Sequence, residues 1–272
     1  MKQTNFHTHT TRCHHALDED EDYVLWAINN GYKVLGFSDH SCWQYDSNFI
    51  PRIRMKVTDF PDYKKSVLSL KEKYKDQIEI RLGMEAEYFP KYMDWMLDFC
   101  IDNEIEYLVF GNHYYQSDET KIYLGGAKGK YLKAYFDTCV EGMKTGMYAY
   151  LAHPELILRG TQGKMNRTIE RGFHRICQTA KELDMPLEFN IAGMRCNKIM
   201  KFEEYPNANF WKIASEYHNK AIIGVDAHEA SALNKKYYNM ALEYLSYFDV
   251  EIVDDIPRID YKKLKENGLK FS

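Results

Sequence analysis

Seven short β-type runs recur along a chain of 272 residues, each followed by a longer stretch with helical periodicity. Strands alternating with helices in this way pair in parallel, because the next strand is reached only after a crossover. The runs lie at 3–7, 33–38, 78–83, 107–111, 148–152, 187–191 and 222–225. The amphipathic stretches lie at 20–30, 62–75, 91–103, 130–145, 168–183, 209–219 and 230–247. Asn30-Gly31 supplies a helix stop before the second run, and Met185-Pro186 separates a helix from the sixth. No Pro/Gly/Ser-rich linker, internal repeat or low-complexity tract interrupts the series. The pattern therefore predicts an α/β fold, a single parallel barrel-like domain over residues 1–272. Residues 251–272 read as a last strand and a short helix that close it.

Composition narrows the class of protein. With 45% hydrophobic residues, 22 tyrosines and 14 phenylalanines, the chain can bury a large aromatic core. No stretch approaches the roughly 18 uninterrupted apolar residues of a membrane span, and the N-terminus lacks an apolar signal segment. Six scattered cysteines without a CxxC pair predict free thiols in a reducing cytosol, with Cys13 and Cys42 near the candidate site. These features predict a cytoplasmic protein with no membrane partner. A net charge of −4 gives no electrostatic reason to expect nucleic acid as a partner. It leaves a small anionic substrate open.

The β-runs end in a distinctive set of side chains. His7, His9, His15, His40, Glu85, His113, His153, Asp226 and His228 all lie at or just beyond strand ends. Imidazole and carboxylate together are the ligand set for zinc, iron or manganese. On a strand, residues two apart face the same side, so His7 and His9 can hold one ion together, and Asp226 with His228 repeats that spacing. Barrel closure would gather the whole set on one face. Three long connections, 41–60, 114–130 and 155–167, each follow a strand ending in a candidate ligand. Loops at that end of a barrel build active sites.

The positions of these ligands make the chain resemble the polymerase-and-histidinol-phosphatase (PHP) superfamily, from His7 to His228. The resemblance implies a distorted seven-stranded (β/α)7 TIM-like barrel holding two to three divalent ions, zinc, iron or manganese. It implies one ion among His7, His9, Glu85 and Asp226, and a second held by Glu85, His113 and His153. The third would lie among His15, His40 and His228. Cys13-His14-His15 offers two adjacent histidines, and the family's spacing favours His15. Glu85 and Glu87 share a strand face, and the family's Gly-x-Glu pattern selects Glu85. Asp39 reads as an outer partner that orients a ligand histidine, or as an assisting catalytic group beside Glu85 and Asp226.

Closely spaced divalent ions activate a bridging water as hydroxide and neutralise the oxygens of a group under in-line attack, which suits phosphate ester hydrolysis. Arg159 and Arg195 are candidate guanidinium donors to the phosphate. Within the superfamily the chain is similar to the stand-alone histidinol-phosphate phosphatases. Hydrolysis of L-histidinol phosphate to L-histidinol and phosphate, a step of histidine biosynthesis, is the implied reaction. Glu87 and the tyrosines Tyr88, Tyr114 and Tyr115 are candidates to pair with the amine or stack on the imidazole. One departure stands out: Gly111-Asn112 precedes His113, where such phosphatases usually carry Ser-Val or Ser-Ile. Competing readings are a PHP-type nuclease, a phosphotyrosine phosphatase and a metal-binding regulatory module without catalysis.

Overall fold

The computed structural model describes residues 1–271. Eight parallel strands form one sheet in chain order: β1 (Thr4–Asn5), β2 (Val34–Phe37), β3 (Glu79–Ala86), β4 (Tyr107–Phe110), β5 (Tyr150–Leu151), β6 (Leu187–Asn190), β7 (Lys220–Gly224) and β8 (Glu251–Val253). The parallel α/β character expected from the sequence is present, but the strand number is eight. The strand beyond the seven that the resemblance implies is the last strand read in residues 251–272, where Glu251–Val253 pairs in register with Lys220–Ile222 of β7.

Beyond that pairing the sheet curls. Past β7, Ala227 forms a parallel bridge with Thr8 just beyond β1. The His9 amide donates to the Ala227 carbonyl at 2.9 Å, and the Ala227 amide donates to that of His7 at 3.1 Å. In a flat sheet these strands would stand about 29 Å apart, six spacings of ~4.8 Å. Curling also explains the inner cluster of Phe6, Val34, Tyr107, Val109, Tyr150 and Ile222, which unites side chains from strands that are not neighbours. Tyr107 is central to it. A Cβ on Gly36 or Gly83 would lie 2.1 or 2.4 Å from the Tyr107 ring or hydroxyl, so both strands use glycine to admit it. Its hydroxyl reaches the carbonyls of Phe6 (3.0 Å) and Phe37 (3.2 Å).

Helices flank the strands: α1 (Asp20–Asn29), α2 (Phe60–Lys73), α3 (Met93–Asn103), α4 (Lys130–Lys144), α5 (Arg167–Glu182), α6 (Ile191–Met200), α7 (Ala208–Glu216), α8 (Lys235–Leu245) and α9 (Tyr261–Glu266). Their apolar faces join the larger core, including Tyr63 of α2, Phe173 of α5 and Trp211 of α7. Asparagine begins four of them. Asn166, Asn190, Asn207 and Asn234 accept amide hydrogens from the first turns of α5 to α8. The segment now seen as α6 carried no helix expectation, so Arg195 lies on a helix rather than in a loop. Among the described residues no helix is long and apolar enough to cross a membrane, and all six cysteines are free thiols.

Candidate metal centre

Parallel pairing puts all strand C-termini at one end, and this end carries the ligands. His7 and His9 follow β1, His40 follows β2, Glu85 lies in β3, His113 follows β4 and His153 follows β5. Asp226 and His228 follow β7, while His15 arrives from a 3-10 turn after His9. Two of these positions hold a left-handed backbone unusual for residues other than glycine: His153 at φ +30° and Asp226 at φ +53°. Strain of this kind persists where surroundings fix it. Here the His153 amide donates to Glu188 Oε2 (3.0 Å), and Asn190 Nδ2 donates to Asp226 Oδ2 (3.1 Å).

The side chains converge. Glu85 Oε1 lies 3.0 Å from His153 Nε2, 3.4 Å from His113 Nε2 and 3.5 Å from His7 Nε2. Its other oxygen lies 3.0 Å from His40 Nδ1 and 3.7 Å from His9 Nε2. Asp226 Oδ1 lies 3.1 Å from His9 Nε2, 3.6 Å from His7 Nε2 and 3.4 Å from His228 Nδ1. Ligands sharing a tetrahedral zinc at ~2.0–2.1 Å stand about 3.3 Å apart, within this range of spacings. Three-residue groups able to hold an ion include His7–His9–Glu85, His40–Glu85–His113, His7–His153–Asp226 and His15–His40–His228. Cys13 joins His9 and His228 in a further group, whereas Cys42 is part of the hydrophobic core.

Hydrogen bonding tests whether metal suits these residues. His15 Nδ1 faces the Cys13 carbonyl at 2.7 Å, and His228 Nδ1 faces the Asp226 carbonyl at 3.1 Å. A carbonyl only accepts, so both rings donate there and turn lone pairs inward. Their Nε2 atoms then oppose each other at 2.9 Å. His113 repeats the pattern: Nδ1 donates to Glu87 (3.1 Å), and Nε2 meets His153 Nε2 at 3.3 Å. The facing lone pairs of His15 and His228 repel unless a cation lies between them. His7 Nε2 and both nitrogens of His9 are buried without any hydrogen-bond partner. Unpaired buried nitrogens are costly, and metal coordination satisfies them. The residues therefore fit divalent ions.

Charge leads to the same reading. Burial holds His40 at about 4 and His228 at about 3, so both are neutral near pH 7 and offer lone pairs. Burial alone would also lower His7, but Glu188, Asp226 and Glu85 outweigh it and raise that ring well above its ordinary value. Burial acts against the charged form of Glu85, yet His113, His40 and His7 hold it well below the usual carboxylate range. The centre attracts positive charge.

Outside the ligands lies a ring of orienting groups that sequence reasoning missed in part. Glu188, fully buried on β6, accepts from His7 Nδ1 at 2.7 Å. Its signal was a carboxylate inside an otherwise buried strand, Leu187-Glu188-Phe189. Asp39 approaches His9 Nδ1 at 3.4 Å and accepts from Thr10 and the His40 amide. It is fully buried and does not line the open crater, so its place is that of an orienting partner rather than a catalytic group. Arg54, also fully buried, grips Glu87 through two bonds (2.6 and 3.0 Å) and Asp118 through a third (2.9 Å). Nothing local marked Arg54, because its partners lie 33 and 64 residues away.

Above the ligands opens a crater of about 340 Å³, also lined by Ile53, Tyr123, Arg159 and Tyr205. Arg159 is the candidate phosphate donor that the fold delivers there, and its Nη1 donates to the Tyr123 hydroxyl at 3.1 Å. Arg195 is not brought to the crater; it pairs with Glu229 at 2.5 Å and lies over Tyr237. Glu87 is spent on Arg54 and His113, and Tyr115 packs against Tyr131, so neither faces the substrate space. Tyr88 packs near Phe271, away from the crater. His15 reaches the centre, while His14 is exposed on a left-handed turn.

Comparison with known proteins agrees with this geometry. The PHP domain model matches residues 5–192. A protein of Deinococcus radiodurans named "Probable histidinol-phosphatase" is 25% identical over 252 residues, 87% of this chain and 90% of the relative. The histidinol-phosphatase of Bacillus subtilis is 22% identical over 270 residues, 87% of this chain and 97% of the relative. Among solved structures, histidinol phosphate phosphatase of Lactococcus lactis, complexed with zinc, L-histidinol and phosphate, superposes with a TM-score of 0.71. That match covers 95% of this chain and 99% of the other at 14% identity, so it speaks for the fold.

Proposed function

This chain belongs to the PHP domain family, and on that premise we propose that it is a phosphoric monoester hydrolase that converts L-histidinol phosphate to L-histidinol and phosphate, a step of histidine biosynthesis. The observation that carries the reading is the convergence of seven histidines, Glu85 and Asp226, with imidazole nitrogens facing each other at 2.9 and 3.3 Å. Full-length similarity to histidinol-phosphatases supports the substrate.

Two to three divalent ions, zinc, iron or manganese, fit the centre: His7, His9, Glu85 and Asp226 would hold one, Glu85, His113 and His153 a second, and His15, His40 and His228 a third. Bound there, such ions supply an activated water at neutral pH and neutralise phosphate oxygens. The protein's own groups do the rest. Arg159 presents a guanidinium to the phosphate, steadied by the Tyr123 hydroxyl. Glu85, able to offer both oxygens, is suited to join two ions. Glu188 and Glu87 accept from the outer nitrogens of His7 and His113, which turns the inner nitrogen of each neutral ring toward the metal space, and Asp39 lies 3.4 Å from His9.

We read residues 1–272 as one such phosphoesterase domain acting in the cytoplasm on a small molecule, without nucleic acid. The Thr8–Ala227 bridge supports reading β1 to β7 as the seven-stranded TIM-like barrel, with β8 added outside. A direct test uses metal-loaded protein on histidinol phosphate, p-nitrophenyl phosphate, single-stranded DNA and a phosphotyrosine peptide. Histidinol phosphate should give the highest kcat/KM. Preference for DNA or the peptide would overturn the substrate, and inactivity on all four would overturn the enzyme.

A further inference from the structure

A second and larger cavity, about 590 Å³, adjoins the crater. Both are walled by Ile53 and Tyr123, so the two form one depression divided by a sill. The outer part lies between the connection that follows β2 and the one that follows β4. Phe49, Ile50 and Tyr114 give it an apolar and aromatic lining, with Tyr114 set edge-on to Tyr123 at 5.7 Å. Its charge has one sign to spare. Asp118, the carboxylate in the lining, is already bonded by Arg54 (2.9 Å) and the Tyr45 hydroxyl (2.7 Å). Arg52 and Lys121 also line the cavity, and neither pairs with a carboxylate among the described residues.

A phosphate held beside Arg159 would send its alcohol portion over the sill. An alcohol with an apolar or planar body and its own anion would meet the aromatic lining and two free donors. We propose that this cavity is a second substrate subsite, and that the enzyme also hydrolyses phosphate monoesters whose alcohol portion carries a carboxylate or second phosphate. The proposal rests on the phosphatase reading above. The reaction is the same displacement: water forms the new P–O bond, the ester P–O bond breaks, and the alkoxide leaves as the alcohol with a proton from water.

The test compares benzyl phosphate with 4-carboxybenzyl phosphate, whose methylene insulates the leaving oxygen from the carboxylate. The carboxylated ester should have a kcat/KM at least about tenfold higher, as expected for a charge-assisted contact. In the R52A/K121A double variant that ratio should fall toward one, and R52K with Lys121 intact should retain most of it. A wild-type ratio near one, or a high ratio unchanged in the double variant, would overturn the subsite. The corresponding benzylphosphonates, titrated calorimetrically, separate the two readings. A tenfold binding preference lost in the double variant, without turnover of either ester, would refute the phosphatase and keep the subsite. Equal binding of both phosphonates would refute the subsite whatever the turnover.

Discussion

Replacing Glu188 by glutamine probes how much the outer ring contributes to the metal centre. The two side chains have nearly the same shape, so the substitution changes chemistry rather than packing. Glu188 accepts from His7 Nδ1 at 2.7 Å, from the His153 amide at 3.0 Å and from Asn190 Nδ2 at 2.9 Å. A carboxylate accepts all three; an amide has one accepting oxygen and one donating nitrogen, so a donor must face a donor. The side chain also has no room to turn away, because a Cβ on Gly224 would lie 1.8 Å from Glu188 Oε1. If the amide nitrogen faces His7, the ring is driven to the tautomer that protonates Nε2, the atom aimed at Glu85 and Asp226. Losing one buried charge-assisted bond costs about 1.5–3 kcal/mol, and removing such outer partners weakens metal binding ~10–100-fold. E188Q should therefore bind zinc 10–100-fold more weakly in a chelator competition, and excess metal should recover part of its activity. Zinc affinity within about threefold of wild type would show that Glu188 does not set the His7 tautomer.

Other perturbations separate the remaining roles. R159A should raise KM for the phosphate ester by about tenfold or more, whereas R195A, paired with Glu229 outside the crater, should change kcat/KM less than about twofold in steady-state assays. H15A should lower the metal content by one equivalent in elemental analysis, and H14A should leave it unchanged. R54M strands the buried carboxylates of Glu87 and Asp118 and should cost roughly 3–5 kcal/mol in urea unfolding. Stability against pH should differ between metal-free and metal-loaded protein. Metal-free, the raised pKa of His7 and His9 gives stability that is complete below ~6.5 and is lost as pH rises through their folded values. Metal requires the same rings deprotonated, so the gain in Tm on adding zinc should widen from pH 6 to 8; a narrowing gap would contradict it.

The fold and the ligands were legible for one reason, and the outer groups were hidden for another. Strand periodicity and strand-end ligands are local signals: Gly36-Phe37-Ser38-Asp39-His40 shows an apolar run and its terminal ligand within five residues. All seven β-runs appear as strands in the structure, and the nine candidate ligands gather at one end. The count of seven followed the family resemblance, whereas the last strand read in residues 251–272 is present as Glu251–Val253, paired with β7. Helix α6 was overlooked because no loop separates it from β6: Asn190, the last residue of the strand, itself caps the helix through the Gly193 amide. Arg195, Glu87 and Tyr115 were misplaced for another reason. Glu87 and Tyr115 lie two residues from a ligand in sequence and Arg195 follows a strand end, but their side chains are claimed by Arg54, Tyr131 and Glu229. Proximity along the chain does not say which face a side chain takes, and these partners lie far away in sequence.

The orienting groups also explain how histidines crowded into one space can turn the same kind of atom inward. A neutral imidazole carries one proton and one lone pair, and whatever binds the outer nitrogen decides which faces inward. His7, His113, His15 and His228 each give Nδ1 to an acceptor that cannot donate: Glu188, Glu87 and the carbonyls of Cys13 and Asp226. His40 breaks the pattern, since its Nδ1 lies 3.0 Å from Glu85 and carries no hydrogen bond. It is also a ring that burial keeps neutral, at about 4. Outer acceptors thus set which nitrogen faces inward in these four rings, whereas burial keeps His40 neutral without an outer acceptor. The two arrangements make opposite predictions for outer-ring variants: E188Q and E87Q should alter the ring that each one holds, His7 or His113, while His40 should keep its tautomer in both, as read from ring ¹⁵N shifts. Tautomer change at His40 in either variant would mean the ring acts as one coupled network rather than as separately oriented ligands.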